Sequence, residues 1–560
     1  MFLRVQRNGS RTYLLIVENK RVNGRIRQRV LHRLGRLDQL QQSGALDGLI
    51  GSMSRFSEKL AVLGAHAAGA AQTGEAIRIG PAMVFERLWR ELRIEPIFAR
   101  QLAGRRFEFS IERAVFLTVL HRLCDPGSDR AAERWRHEHR IAGVQDLQLH
   151  HLYRAMAWLG EPLSDGEQLD ATLPAKAPRC VKDMIEEQLF EQRRVLFADL
   201  SLVFFDTTSL YFEGDGGESI GQFGFSKDHR PDRRQMVVGV VMAQDGTPIC
   251  SEMWPGNVSD VTTLLPVIRR LERRFGIEQV CVVADRGMIS DATIEQIERQ
   301  HPHLRYILGA RMRSDHEVRD TVLGWPGRYK QVHGSRQSSK DPSPLKVKDV
   351  CFSDEQGQDR RYIVCHNEEQ AKKDRADREA ILAALEDKLK QGDKALVANK
   401  GYRKYLKSQG RRFAIDPRKV KDEARFDGKW VLRTNWPDAE AAEVALRYKD
   451  LWMVEAIFRT TKSILQTRPI YHKCDQTIRG HVFCSFLALV LRKLLIDRLQ
   501  THGFELEWAD VLRDLAAMSE LELHVSGKRY LLRPPARSAA AKAFTACHLA
   551  LPAMLRELET

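Results

Sequence analysis

The chain has 560 residues, 43% hydrophobic and 29% charged, a globular balance that excludes wholesale disorder. Its formal net charge of +15 points to a polyanionic partner, either nucleic acid or an anionic membrane surface. The apolar run from Cys484 to Leu491 ends at Arg492 and Lys493, well short of the ~20 residues a membrane span needs. The start, Met1-Phe2-Leu3-Arg4, has no apolar signal core, so neither membrane insertion nor secretion is expected. Nine cysteines, none in a Cys-x-x-Cys pair, indicate neither a disulfide framework nor a zinc ribbon, and fit a reducing cytoplasm.

Residues 1–75 read as a small basic unit, with a hairpin turning at Asn23-Gly24 and an Ala/Gly-rich linker or weak helix over 62–75. Over 76–195 the apolar residues, among them Phe85, Leu88, Leu92, Val115 and Leu123, recur at helical spacing, which predicts a helical domain. From 196 to 314 the pattern changes to strands. Leu202 to Phe205, Met236 to Met242 and Pro248 to Trp254 form a potential meander, and Val280 to Ala284 and Tyr306 to Gly309 alternate with helices. That order predicts an RNase H-like α/β core. Residues 315–435 are polar, with turns at Trp325-Pro326-Gly327 and Asp341-Pro342, and read as an inserted subdomain. Residues 436–500 return to the core with one long helix from about Asp438 to Gln466, and 501–560 read as a helical C-terminal region with a basic stretch.

Three acids stand out. Asp206 follows the first strand run, Asp285 follows the fourth, and Glu455 lies in the late helix. Residues just past adjacent strand ends of an open α/β sheet converge on one crevice, and a helix packed across it can supply a third acid. Two Mg²⁺ ions activate an attacking oxygen and stabilise a leaving one in phosphodiester chemistry, and Mg²⁺ takes hard oxygen ligands. Asp206 would then bridge the metals, with Asp285 and Glu455 holding one each. An Asp after a strand also serves as a turn or cap residue. Two of them at strand ends of one sheet, in a strongly basic chain, favour the metal reading. Tyr448, Glu455 and Lys462 follow at heptad intervals, and a helix drifts only ~20° per heptad, so the three share one stripe beside the apolar residues Leu451, Val454, Phe458 and Leu465.

The segment from Tyr448 to Lys462 resembles the Tyr–Arg–Glu–Lys signature of DDE transposases, most closely those of the insertion-sequence-four group of bacterial elements. Tyr448, Glu455 and Lys462 match it in type and spacing. Leu451 stands at the Arg position, and Arg447, Lys449 and Arg459 remain alternative sources of that charge. Phe205-Asp206-Thr207-Thr208 and Asp285-Arg286-Gly287-Met288 resemble the family's two aspartate motifs. Pro255 to Asp260, Arg468 to His472 and Ile478 to His481 extend the likeness.

The resemblance implies an RNase H-like core interrupted by an inserted subdomain, which together with the helical periodicity of 76–195 gives the expected fold: an α/β catalytic core preceded by a largely helical DNA-binding region. It implies an enzyme that binds the terminal inverted repeats of its own element, cleaves there, and joins the 3′-hydroxyls to target DNA. Asp206, Asp285 and Glu455 would be the metal ligands, for Mg²⁺ with Mn²⁺ as a substitute. Tyr448, Lys462 and Arg459 would contact DNA. Trp430 would stack a flipped base; a core tryptophan on a strand is an equal reading. The partners implied are double-stranded DNA and a second copy of the chain, in a bacterial cytoplasm at the nucleoid. Two alternatives stay open: an RNase H-like nuclease without strand transfer, and an inactive DNA-binding relative.

Other features carry less. The glycine- and acid-rich stretch Glu213 to Gly224 lacks the lysine and Ser/Thr of a phosphate-binding loop and reads as a flexible loop beside the site. His229, His366 and His472 suggest no ligand cluster. The basic segments Arg4 to Arg36 and Arg105 to Arg140 read either as DNA-reading arms or as solvated faces, and residues 112–136 carry a weak helix-turn-helix pattern.

Overall fold

The computed structural model describes residues 1–22, 25–54, 57–69, 72–164, 166, 168, 177–194, 202–277, 281–288, 290–332, 345–353, 357–391, 400–409, 412–525 and 528–558. The expected turns at Asn23-Gly24 and Asp341-Pro342, and Val280, lie outside them. The chain divides into two units, one of residues 1–80, 138–140 and 506–560, the other of residues 81–137 and 141–505.

In the first unit β1 (Phe2–Asn8), β2 (Arg11–Val22) and β3 (Arg25–Arg36) form an antiparallel sheet. The stretch expected as a linker holds the helix Glu58–Ala67 and then β4 (Gln72–Arg78).

Among the described residues six α-helices, the first Gly80–Glu91 and the last Val181–Arg193, precede the nine-stranded mixed sheet of the second unit. Its first strands are β5 (Leu202–Tyr211), β6 (Gln235–Ala243), β7 (Pro248–Pro255), β8 (Cys281–Ala284) and β9 (Arg305–Gly309). β5 to β7 form an antiparallel meander, and β8 and β9 run parallel to β5, each strand after a helix. The interval read as an inserted subdomain supplies β10 (Lys330–Val332), β11 (Leu345–Ser353) and β12 (Asp359–Asn367) to this same sheet. The β13 (Leu406–Gln409) and β14 (Arg412–Ile415) hairpin stands apart from it, with Leu385 of the helix Glu368–Gln391 packed against Tyr405 and Leu406. β15 (Lys429–Thr434) joins β12 to β9, antiparallel to both. The continuous apolar run Tyr362-Ile363-Val364 is buried on both faces of β12, as in a strand interior to a covered sheet.

The long helix expected from Asp438 to Gln466 is broken. Ala441–Lys449 and Trp452–Arg459 are separate helices, followed by a π-helical turn Thr460–Ile464. The C-terminal region, expected to be helical, holds β16 (Ser519–Val525), β17 (Lys528–Leu532) and β18 (Leu555–Leu558) beside two helices. β16 pairs back to β4, so the two ends of the chain share one four-stranded sheet whose core is Val62, Leu523, Tyr530 and Leu555. The sequence pattern missed this because the pairing joins segments far apart in the chain. Among the described residues no helix is long and apolar enough to cross a membrane, and none of the nine cysteines is joined in a disulfide.

The large sheet is covered on both faces. Val203 and Phe205 of β5 point into one core with Val282, Ala284, Leu264 and Ile268. Leu202 and Phe204 point into the other with Val283, Val444, Leu451, Val454 and Phe458. Alternation along the strands therefore decides which acids face the helix Trp452–Arg459.

Candidate active site

Asp206 lies within β5 rather than after it, because the strand continues to Tyr211 against β6. On its other side β5 pairs in parallel with β8 only as far as Phe205 and Ala284. Asp206 is the next residue of β5 and Asp285 the first residue past the end of β8, close enough that the Asp285 charge acts on Asp206. Both share the parity of Phe204 and Val283, so both belong to the face over which the helix Trp452–Arg459 packs. Glu455 is exposed on that helix, next to the buried Val454. The structure thus brings Asp206 and Asp285 side by side and seats the Glu455 helix on their face.

Burial pushes the Asp206 carboxyl up to about 6; the Lys227 ammonium and the Thr207 N–H oppose this, and the negative charges of Asp285 and Asp260 add to it. The Tyr448 hydroxyl donates to Asp285 Oδ1 at 3.0 Å, and burial together with that carboxylate holds the phenol well above its ordinary range. Gly309 makes room for this contact: a Cβ there would lie 2.5 Å from the tyrosine oxygen and 3.0 Å from the Arg286 nitrogen.

Two residues beside the acids escaped the sequence reading. Asp260 accepts from Thr207 Oγ1 at 2.8 Å, and Lys227 Nζ lies 3.1 Å from the other Asp260 oxygen. Lys227 also donates to the Thr207 carbonyl at 2.7 Å and its hydroxyl at 2.9 Å. The signal for Asp260 was its place at the end of the family-like stretch from Pro255; nothing local marks Lys227.

Lys462 is largely buried and paired with Asp228, Nζ to Oδ1 at 2.7 Å. Arg459 is exposed on the last turn of the helix. Leu451, at the signature's Arg position, is 8% exposed and packs in the core, which explains why an apolar residue is accepted there. Trp430 on β15 is partly buried against that same core, so much of its ring is used in packing. Phe225, at 85%, and Trp452, at 61%, are the more exposed rings on the elements around the acids.

The Glu213 to Gly224 loop is fastened rather than loose. Asp475 accepts from the Glu218 and Ser219 N–H groups at 2.9 and 3.2 Å, and Gly217, with φ of 83°, leaves no space for a side chain beside that carboxylate. His472 has partners that its sequence context did not reveal. Its Nε2 lies 3.3 Å from Asp129 and 3.1 Å from His481 Nδ1, the spacing of a metal-binding group. The Arg122 guanidinium, 2.6 Å from the same His481 nitrogen, already brings a positive charge there. The cluster ties Arg122 and Asp129 to the segment around Thr467 and to the helix Asp475–Thr501.

Residues 198–491 match the family model of the transposase DDE domain, and residues 3–67 match that of the N-terminal domain of IS1634 family transposases. A comparison with curated proteins finds no match. Among solved structures the chain resembles a piggyBac transposase synaptic complex with hairpin DNA, at 10% identity and a TM-score of 0.36, covering 78% of this chain and 79% of that one. It also resembles a Mos1 transposase paired-end complex with the left transposon end, at 11% identity and a TM-score of 0.14, covering 37% of this chain and 60% of that one.

Proposed function

Since the chain belongs to the transposases that carry the DDE domain, we propose that it binds the terminal inverted repeats of a bacterial mobile element, cuts the DNA there and joins the freed 3′-hydroxyls to target DNA. The observation that carries this reading is that Asp206, within β5, and Asp285, just past the end of the parallel strand β8, neighbour one another on the sheet whose core includes Val454 and Phe458 of the helix that bears Glu455. Such a core is RNase H-like, with the strand order β7-β6-β5-β8-β9.

The donor set suits a divalent cation. Asp206 is held up to about 6 by burial and by its acidic neighbours, a clustering of like charge that a hard cation relieves. Asp206, Asp285 and Glu455 would hold Mg²⁺, or Mn²⁺ in its place. When bound there, such ions would help activate the attacking oxygen and neutralise charge on the leaving one. The chain's own residues position the rest. Tyr448 fixes the Asp285 carboxylate through its hydroxyl, and Lys227 with Thr207 fixes Asp260. Lys462 binds a DNA phosphate, with Arg459 exposed nearby in sequence for a second backbone contact. Joining two ends in one event calls for two copies of the chain, and the setting is the bacterial nucleoid.

The test is cleavage of a duplex carrying the element's ends. Asp206→Asn should bring nicking below detection with Mg²⁺ or Mn²⁺ while leaving binding intact, and full activity in that variant would end the proposal. Strand transfer of a precleaved 3′-end separates a transposase from a nuclease that only cuts, and absence of any nicking by the unaltered chain would identify an inactive binder.

A further inference from the structure

The segment joining β5 to β6 carries Lys227 and Asp228 side by side, and the two are bonded to opposite kinds of charge. Lys227 rests on Thr207 and Asp260, next to Asp206. The Asp228 side chain is 5% exposed and lies between two cations, with Oδ1 2.7 Å from Lys462 Nζ and Oδ2 2.8 Å from Arg468 Nη1. The Arg468 guanidinium is further held over the Tyr211 ring at the end of β5, 5.4 Å from its centre. A carboxylate that offers one oxygen to each of two cations presents the same chemistry as the two non-bridging oxygens of a phosphodiester, and carries the same single charge.

On the reading of the chain as a DNA-joining enzyme, we propose that Lys462 and Arg468 form a two-cation site for a backbone phosphate at the DNA end, and that Asp228 is the anion that fills it before DNA arrives. The phosphate replaces Asp228, and the segment 225–230 leaves the catalytic face. Arg468 then supplies the cation that the signature lacks at Leu451, which is buried in the core. Arg447, one of the two alternatives adjacent to Tyr448, lies 3.7 Å from Glu443 on its own helix. Exchanging one anion for another keeps both cations paired throughout, so neither is left buried and uncompensated. The latch is coupled to the acids because Lys227, the next residue, is bonded to Thr207 and Asp260. Withdrawal of Asp228 loosens the cation that shields Asp206.

The experiment measures binding of the full chain to a fluorescent duplex with a free 3′-hydroxyl end, over a range of salt concentrations, with thermal melting of every variant. Asp228→Asn keeps the shape and removes the competing charge, and should bind several-fold more tightly than the unaltered chain. Arg468→Gln should weaken binding by roughly tenfold and lower the slope of log affinity against log salt by about one. Unchanged or weaker binding by a folded Asp228→Asn, or an unchanged salt slope in Arg468→Gln, overturns the inference. Should Asp228→Asn fail to fold, the Arg468→Gln slope decides alone. An unaltered chain that binds no duplex at low salt would instead end the transposase reading itself.

Discussion

Asp206 carries a cost in the metal-free protein. Its carboxyl is pushed up to about 6, from an ordinary value near 3.8, by burial and by Asp285 and Asp260. An acid whose folded value is raised favours the folded state at low pH, and that advantage is lost as pH rises through its folded value. A shift of this size corresponds to about 3 kcal/mol. Without divalent cations, Asp206→Asn should therefore melt several degrees above the unaltered chain at pH about 8, with the difference shrinking toward pH about 4. Thermal melting across that range checks it; an equal difference at both ends would show that the carboxylate is not strained by its neighbours. Tyr448 illustrates a residue whose position was readable and whose contact was not. Its spacing from Glu455 marked it, but only the fold shows that its hydroxyl meets Asp285 across Gly309.

At the scale of elements, the proposed site depends on the helix Trp452–Arg459, which carries Glu455. The helix is anchored by Val454 and Phe458, while the neighbouring Glu455 is exposed. Phe458→Ala should destabilise the second unit by about 3–5 kcal/mol and lower cleavage more than a comparable loss of stability elsewhere, because the cavity frees the helix that carries the third acid. Melting together with cleavage rates, compared with an Ala substitution at Phe544 in the other unit, would test this; equal effects on cleavage would remove the helix's special role. The strands and their order around Asp206 and Asp285 were legible because buried runs such as Val203-Phe204-Phe205 have few other uses. The break between Lys449 and Trp452 was not, since Asp450 and Leu451 carry no proline or glycine stop signal. Lys227 and Asp228 were invisible for a related reason: their partners, Asp260, Lys462 and Arg468, come from elements far along the chain.

At the scale of the whole chain, the +15 charge agrees with a DNA partner but does not locate it. Phosphate contacts release counterions, so duplex affinity should fall steeply and linearly, on log scales, as salt rises. Binding measured at several salt concentrations tests this, and a salt-insensitive affinity would contradict a backbone-driven contact. The chain's ends hold a second lesson. The β4 and β16 pairing joins residues 72–78 to 519–525, so segments read from sequence as separate terminal regions form one sheet. Neither strand is apolar enough by itself to announce its partner: β4 is exposed along most of its length.

The central claim is that Asp206, Asp285 and Glu455 together hold divalent cations. Titrating the purified chain with Mn²⁺ and following the bound fraction by its paramagnetic signal tests that claim without requiring activity. Saturable binding that is lost in Asp206→Asn and Asp285→Asn and weakened in Glu455→Gln is the result expected. Binding that persists unchanged in all three variants would contradict it.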